Sequence, residues 1–202
     1  NNLEQYEEAI PDFDKAIEID PNFANTYIHR GSARMFLKLN QDAIDDYTKA
    51  IEIDPNNADI YHRRGFAEEE LENYQNAIDD YSKAIEINPN NPEFYLNIGN
   101  LKKRLNDFQG AIDHYTKAIE NNLYPYSNWY SLRGHAKSQL KDFQGAIYDY
   151  SKAIEINPNY NNAYAGRGHA KSQLKDFQGA IDDYSKSIEI NPKKANLYNF
   201  RA

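Results

Sequence analysis

The chain has 202 residues, no cysteine and a formal net charge of −8 at pH 7, a length that suits one or two ordinary domains or one elongated array. The acidic balance argues against nucleic acid, because a phosphate-tracking surface needs an excess of Lys and Arg. The lack of Cys excludes disulfide scaffolds, Cys-ligated zinc and thiol nucleophiles, and no apolar run approaches the ~18 residues of a membrane-spanning helix.

The chain opens at Asn1, without Met and without a signal-like segment, and reads as a fragment of a longer protein. Residues 1–23 carry the tail of one helix and then a second helix with Leu3, Tyr6, Ala9, Phe13 and Ala16 as its apolar stripe. Pro11 falls near the first turn of that second helix, where proline is tolerable. From residue 24 the sequence is periodic. Pro21, Pro55 and Pro89 stand 34 residues apart, as do Gly31, Gly65 and Gly99, and Pro158 and Pro192. From Gly99 to Gly134 the step is 35, so one residue is inserted near 121–128. The periods run 24–57, 58–91, 92–126, 127–160 and 161–194, with a partial one over 195–202 that holds Tyr198 and has Ala202 where Gly would stand.

Residues 161–194 show the pattern most clearly. Tyr164, Arg167, Gly168, Ala170, Lys171 and Leu174 mark a first helix. Asp176 is placed to cap a second helix, whose stripe is Phe177, Ala180, Ile181, Tyr184, Ser187 and Ile188. Asn191-Pro192 stops it, since the residue before proline is pushed out of the α region. Gly168 and Ala180 let the two backbones approach, and Ser187, which is Ala in the other full copies, is read as doing the same toward the next repeat. One such hairpin cannot bury both faces, so neighbours must stack.

The spacing Ala-x3-Tyr-x2-Ala-x4-Pro, as in Ala43-Tyr47-Ala50-Pro55 and Ala77-Tyr81-Ala84-Pro89, and the preceding Tyr-x3-Gly of Tyr27-Gly31 and Tyr61-Gly65, resemble the tetratricopeptide repeat (TPR). The resemblance covers essentially the whole chain. It implies an all-α fold, a right-handed α-solenoid of antiparallel helix pairs, with 1–202 forming a single array. It departs from the family at Arg30, Arg64, Arg133 and Arg167, which stand where an apolar residue is common, and at Arg34, Glu68, Lys102, Lys137 and Lys171, three positions after the Gly. With Asp45, Asp46, Asp79, Asp80, Asp182 and Asp183 recurring on second helices, these predict an inter-helix ion-pair array, Arg being suited by its bidentate fork.

The resemblance further implies that first helices line a concave groove for an extended peptide or a partner helix. Helical geometry puts Asn25, Ile28, His29, Ser32, Met35 and Phe36 on that face in the first full repeat. Asp59, His62, Arg63, Phe66, Glu69 and Glu70 follow in the second, and Glu93, Leu96, Asn97, Asn100, Lys103 and Arg104 in the third. The fourth and fifth offer Ser131, His135 and Gln139, then His169 and Gln173. Ile28, Met35, Phe36 and Phe66 would form an apolar patch at the N-terminal end, unless some of them pack between helices. The chaperone-binding branch of the family clamps a carboxylate with Lys and Asn, but its positions here hold Ile28, Ser32, Arg63, Asp59 or Glu93, so that activity is not carried over. Residues 121–130 (NNLYPYSNWY) break the pattern. Tyr124, Tyr126 and Trp129 there are open to two readings, an exposed aromatic contact or a plug for the distorted junction.

No catalytic, cofactor or metal site is expected. Gly166-Arg-Gly-His-Ala-Lys171-Ser172 has some of the letters of a phosphate loop but lacks Gly before the Lys and a preceding strand. His135 and His169 are equivalent on adjacent repeats, with no third ligand evident. The expected role is a non-enzymatic scaffold that binds another protein or a peptide, with no nucleic-acid or membrane partner. The alternatives are head-to-tail homo-association through the out-of-phase terminal repeats, or a regulatory array beside an enzyme domain outside these residues.

Overall fold

The computed structural model describes residues 2–192, so the expected partial repeat at 195–202, with Tyr198 and Ala202, lies outside the described residues. Those residues form eleven helices and no strand: α1 (Asn2–Ile19), α2 (Ala24–Phe36), α3 (Asn40–Ile53), α4 (Ala58–Glu70), α5 (Tyr74–Ile87), α6 (Pro92–Arg104), α7 (Phe108–Glu120), α8 (Ser127–Gln139), α9 (Phe143–Ile156), α10 (Asn161–Gln173) and α11 (Phe177–Ile190). The chain divides into two compact units, Asn1–Phe94 and Tyr95–Ala202. In each, consecutive helices pair: α2 with α3 and α4 with α5 in the first unit, α8 with α9 and α10 with α11 in the second.

Each hairpin turns by the same device. Lys38, Glu72, Asn106, Lys141 and Lys175 take the left-handed conformation, with φ between 60° and 65°. The next residue then donates its N–H back five positions, as Asp142 N to Lys137 O at 3.0 Å and Asp176 N to Lys171 O at 3.0 Å. In three of the five hairpins that same residue also caps the following helix, whereas Leu39 and Asn73 make no side-chain cap. Asp107, Asp142 and Asp176 accept from the N–H of Gly110, Gly145 and Gly179 at 2.9, 2.9 and 3.0 Å. One aspartate thus ends one helix and starts the next.

α1 differs from expectation. It is one continuous helix of 18 residues, not a helix tail followed by a second helix. Pro11 lies in the interior of this helix and not near a first turn, and an interior proline costs ~3 kcal/mol relative to Ala.

The hairpins close around glycine and tyrosine. A Cβ on Gly31, Gly65 or Gly168 would come within 2.9 Å of the ring of Tyr47, Tyr81 or Tyr184 on the partner helix. Tyr47, Tyr81 and Tyr115 are almost fully buried, and burial raises the pKa of all three, so each stays a neutral phenol. Alanines at helical spacing, such as Ala43 and Ala50 or Ala77 and Ala84, fill the rest of the seam. The repeat that Ser187 is expected to face lies outside the described residues. The Ser187 hydroxyl is fully buried and donates to Asn161 O at 2.9 Å, within its own hairpin.

The ion-pair array exists and is more selective than its sequence suggests. Arg30, Arg64, Arg133 and Arg167 each donate two nitrogens to one buried aspartate of the partner helix: Asp46, Asp80, Asp149 and Asp183. Each also reaches the preceding second helix, at Asp14, Thr48, Thr116 and Ser151 respectively. Arg34, Lys137 and Lys171 add a further cation at 2.7–2.8 Å, whereas Glu68 accepts from Asn73 and Lys102 pairs with Asp107. Asp45, Asp79 and Asp182 are exposed and instead accept from Gln41, Gln75 and Gln178 one turn earlier. Burial raises the Asp80 pKa against the opposing pull of Arg64. The third repeat has exchanged both partners. Ile98, buried, stands in the arginine position and His114, bonded through Nδ1 to Gly110 O at 2.8 Å, in the aspartate position.

Candidate functional site

The first unit contains a pocket of about 470 Å³. First helices supply most of its wall: Ser32, Met35 and Phe36 from α2, Asp59, His62, Arg63 and Phe66 from α4, and Glu93 from the first turn of α6. Lys38 of the α2–α3 turn and Tyr47 of α3 complete it. Phe36 is 57% and Phe66 49% exposed. Such exposure of two phenylalanines is not a requirement of the fold, since Glu70 and Asn100 occupy the corresponding positions one repeat later. Phe36 is held flat against Tyr6 of α1, ring centroids 4.5 Å apart.

Arg63 organises the pocket floor. Its Nε donates to Asp59 at 2.7 Å, one turn earlier on α4, and its Nη1 to Ser32 Oγ on α2 at 3.3 Å. Ser32 itself donates to Ile28 O at 2.8 Å and lies 3.2 Å from the Tyr47 hydroxyl. His62 sits between Tyr81 and Phe94, at centroid distances of 5.6 and 5.2 Å. Burial pulls its pKa below the ordinary value, against the opposing charges of Glu93 and Asp59. At the open edge Lys38 Nζ lies 3.2 Å from Glu70.

Eight residues expected on the groove face from sequence, Ser32, Met35, Phe36, Asp59, His62, Arg63, Phe66 and Glu93, therefore meet in one pocket. Ile28 does not join them. It is buried in the core with Tyr27, Ala43, Ile44 and Ile60, because its position on α2 turns toward the neighbouring helices α3 and α4, which supply the last three of those residues. Asn25 and His29 are exposed beyond the pocket, His29 beside Phe13 at 6.2 Å, and Glu69 accepts from the Tyr81 hydroxyl at 3.4 Å. Sequence reasoning missed Lys38 and Tyr47. Tyr47 was legible as the tyrosine of the repeat spacing, but no sequence signal shows that it also reaches the groove.

Comparisons with known proteins bear on this geometry. Models of the TPR repeat match residues 2–35, 40–71 and 67–106, and models of the tetratricopeptide repeat match 92–123, 127–160 and 162–194. The chain belongs to the tetratricopeptide-repeat family. No curated protein matches its sequence. Among solved structures it is similar to YrrB, described as a TPR protein with an unusual peptide-binding site (22% identity, 93% of this chain and 96% of that one, TM-score 0.81). It is also similar to MamA (25% identity, 86% and 94%, TM-score 0.78). The C-terminal part of a TPR repeat-containing protein from Cytophaga hutchinsonii is a further neighbour (22% identity, 97% and 78%, TM-score 0.83). The expected fold, an all-α right-handed solenoid of antiparallel helix pairs, is the one the chain shares with them, and it is that of a protein-interaction scaffold.

In the second unit the TPR first helices present a different surface. Leu96 is half-buried and packs against the cluster of Ala111, Tyr115 and Ala136. Asn100 accepts from the Tyr115 hydroxyl at 2.9 Å. Asn97, Lys103 and Ser131 are half-buried, and burial lowers the Lys103 pKa. Arg104, His135, Gln139, His169 and Gln173 are exposed. The inserted residue lengthens the α7–α8 turn, where Tyr124 and Tyr126 are 84% and 64% exposed while Trp129 is 7% exposed. Trp129 is thus a plug, packed edge-on to Tyr126 at 5.2 Å, and only the two tyrosines remain as surface aromatics. The phosphate-loop-like segment is helical within α10, and its Lys171 pairs with Asp183 at 2.8 Å. No group of three or more metal-ligating side chains is placed to hold an ion among the described residues, and no helix there is long and apolar enough to cross a membrane.

Proposed function

We propose that this TPR chain binds an extended peptide segment or a partner helix along its first-helix face, with the Phe36–Phe66 pocket as the principal anchor. The observation that carries this reading is two half-exposed phenylalanines and Met35 converging on one pocket of about 470 Å³. That volume is within the range of ligand sites and takes more than one apolar side chain. The peptide-binding site ascribed to YrrB, a neighbour of the same fold, supports the same use here. Recognition works by shape and preorganisation. Arg63 is locked by Asp59 and Ser32, so little side-chain freedom is lost when a ligand arrives. In this reading no bond is made or broken.

The test compares wild type with a Phe36→Ala, Phe66→Glu double variant in affinity capture from source lysate. Loss of the captured protein, at unchanged helix content by circular dichroism, is the expected result. Equal recovery by both would remove the pocket as the anchor.

A further inference from the structure

The charges around the pocket are not balanced. Asp59 and Glu93 line the pocket with Lys38 and Arg63, and two further acids of α4 adjoin it: Glu70, exposed and 3.2 Å from Lys38, and Glu69, half-buried and accepting from the hydroxyl of Tyr81. Both cations are already engaged by carboxylates: Arg63 by Asp59 at 2.7 Å, and Lys38 by Glu70 at 3.2 Å. Glu93 is exposed at the pocket edge, and its charge and that of Asp59 reach the His62 ring. An incoming acidic segment would find its cationic partners occupied and two further carboxylates beside them. The whole chain, at −8, adds to the same field.

From this charge pattern, and resting on the pocket reading above, we infer that the ligand is a basic amphipathic peptide: two bulky apolar side chains for the Phe36–Phe66 pocket, flanked by Lys or Arg. The apolar side chains supply the burial, and the flanking cations meet Glu93 on one side and the Glu69–Glu70 edge on the other. Charge complementarity of this kind selects partners and speeds encounter more than it adds affinity.

The experiment is a displayed library of 12-residue peptides with two fixed central Leu positions and randomised flanks, selected on the full 202-residue chain. Counter-screens use the Phe66→Glu variant and the Glu70→Lys, Glu93→Lys variant. Enrichment of Lys and Arg in the flanks is expected. So is about a tenfold preference for a selected peptide over its Glu-flanked counterpart at low salt, shrinking above ~0.5 M salt. Glu70→Lys, Glu93→Lys should abolish the flank preference without abolishing binding. Acidic enrichment, absence of any charge bias, or no enrichment at all overturns the inference. If peptides are selected without charge bias yet still lose binding to Phe66→Glu, the basic-ligand inference falls and the pocket reading stands. If basic peptides bind Phe66→Glu as well as wild type, the pocket reading falls with it.

Discussion

Replacing Arg133 by Ile tests what the arginine array contributes. Asp149 has a side-chain exposure of 0% and accepts from Arg133 at 2.9 and 2.7 Å and from Lys137 at 2.8 Å. Arg133→Ile strands that carboxylate with one countercharge, and breaking a buried pair from one side costs ~3–5 kcal/mol. Because Lys137 stays, the lower figure is expected. With a urea m-value of ~2 kcal/mol/M, a loss of ~3 kcal/mol moves the unfolding midpoint down by about 1.5 M. The third repeat shows how the cost is relieved, since Ile98 there faces His114, whose ring is satisfied by Gly110 O. The double variant Arg133→Ile, Asp149→His copies that pair and puts Gly145 O in reach of the new imidazole. It should recover to within ~1 kcal/mol of wild type, about 2 kcal/mol better than the single variant, as coupled neighbouring sites can. Urea titrations of the three proteins, followed by helix signal, decide the matter. A single variant as stable as wild type, or a double variant no better than the single, would refute the reasoning.

Three further outcomes follow from particular contacts. Gly145→Ala normally gains up to ~1 kcal/mol in a helix, but a Cβ there would stand 2.8 Å from the Asp142 carboxylate carbon and expel the cap. It should therefore cost ~1 kcal/mol, as Asp142→Ala does, and the two losses should not add when melting temperatures are compared. Trp129→Ala should cost ~3 kcal/mol through the cavity it leaves, while Tyr124→Ala, on an 84% exposed residue, should stay within ~0.5 kcal/mol in the same denaturation assay. Burial depresses the His62 pKa below its unfolded value of ~6.5. The unfolded chain then binds the extra proton first, so the contribution is complete above pH ~6.5 and is lost as pH falls toward the folded pKa. Thermal melts from pH 7 to pH 5 should show a decline that is smaller in His62→Gln. An equal decline in both proteins would assign the pH dependence to other groups.

The repeat was readable from the sequence because its constraints are local. The recurring Pro and Gly, the Ala and Tyr of the second helix and the cap at Asp176 each depend on fixed offsets along one hairpin, so the 34-residue step shows them directly. Arg30, Arg64, Arg133 and Arg167 were identifiable as ion-pair donors for the same reason. Which of two adjacent aspartates receives them was not, because Asp79 and Asp80 differ only in the side of α5 on which they emerge, and the packing of α4 decides that Asp80 is the buried one. Asp149 escaped notice because its neighbour is Tyr148, so the paired-acid signature is missing in that repeat.

Pattern and spacing alone therefore determined that the described residues are helical and built from hairpins that stack. Only the tertiary structure decided which first-helix side chains are free. Ile28 and Leu96 carry the same helical phase as groove residues but are claimed by neighbouring helices, and Trp129 fills the lengthened junction instead of facing solvent. Phe36 and Phe66 stay half-exposed and share a pocket with Lys38, Tyr47 and Glu93 from other elements. Helical periodicity reports the angle at which a side chain leaves its own helix. Whether that direction ends in solvent or in another helix depends on residues a full repeat away, which no local offset encodes.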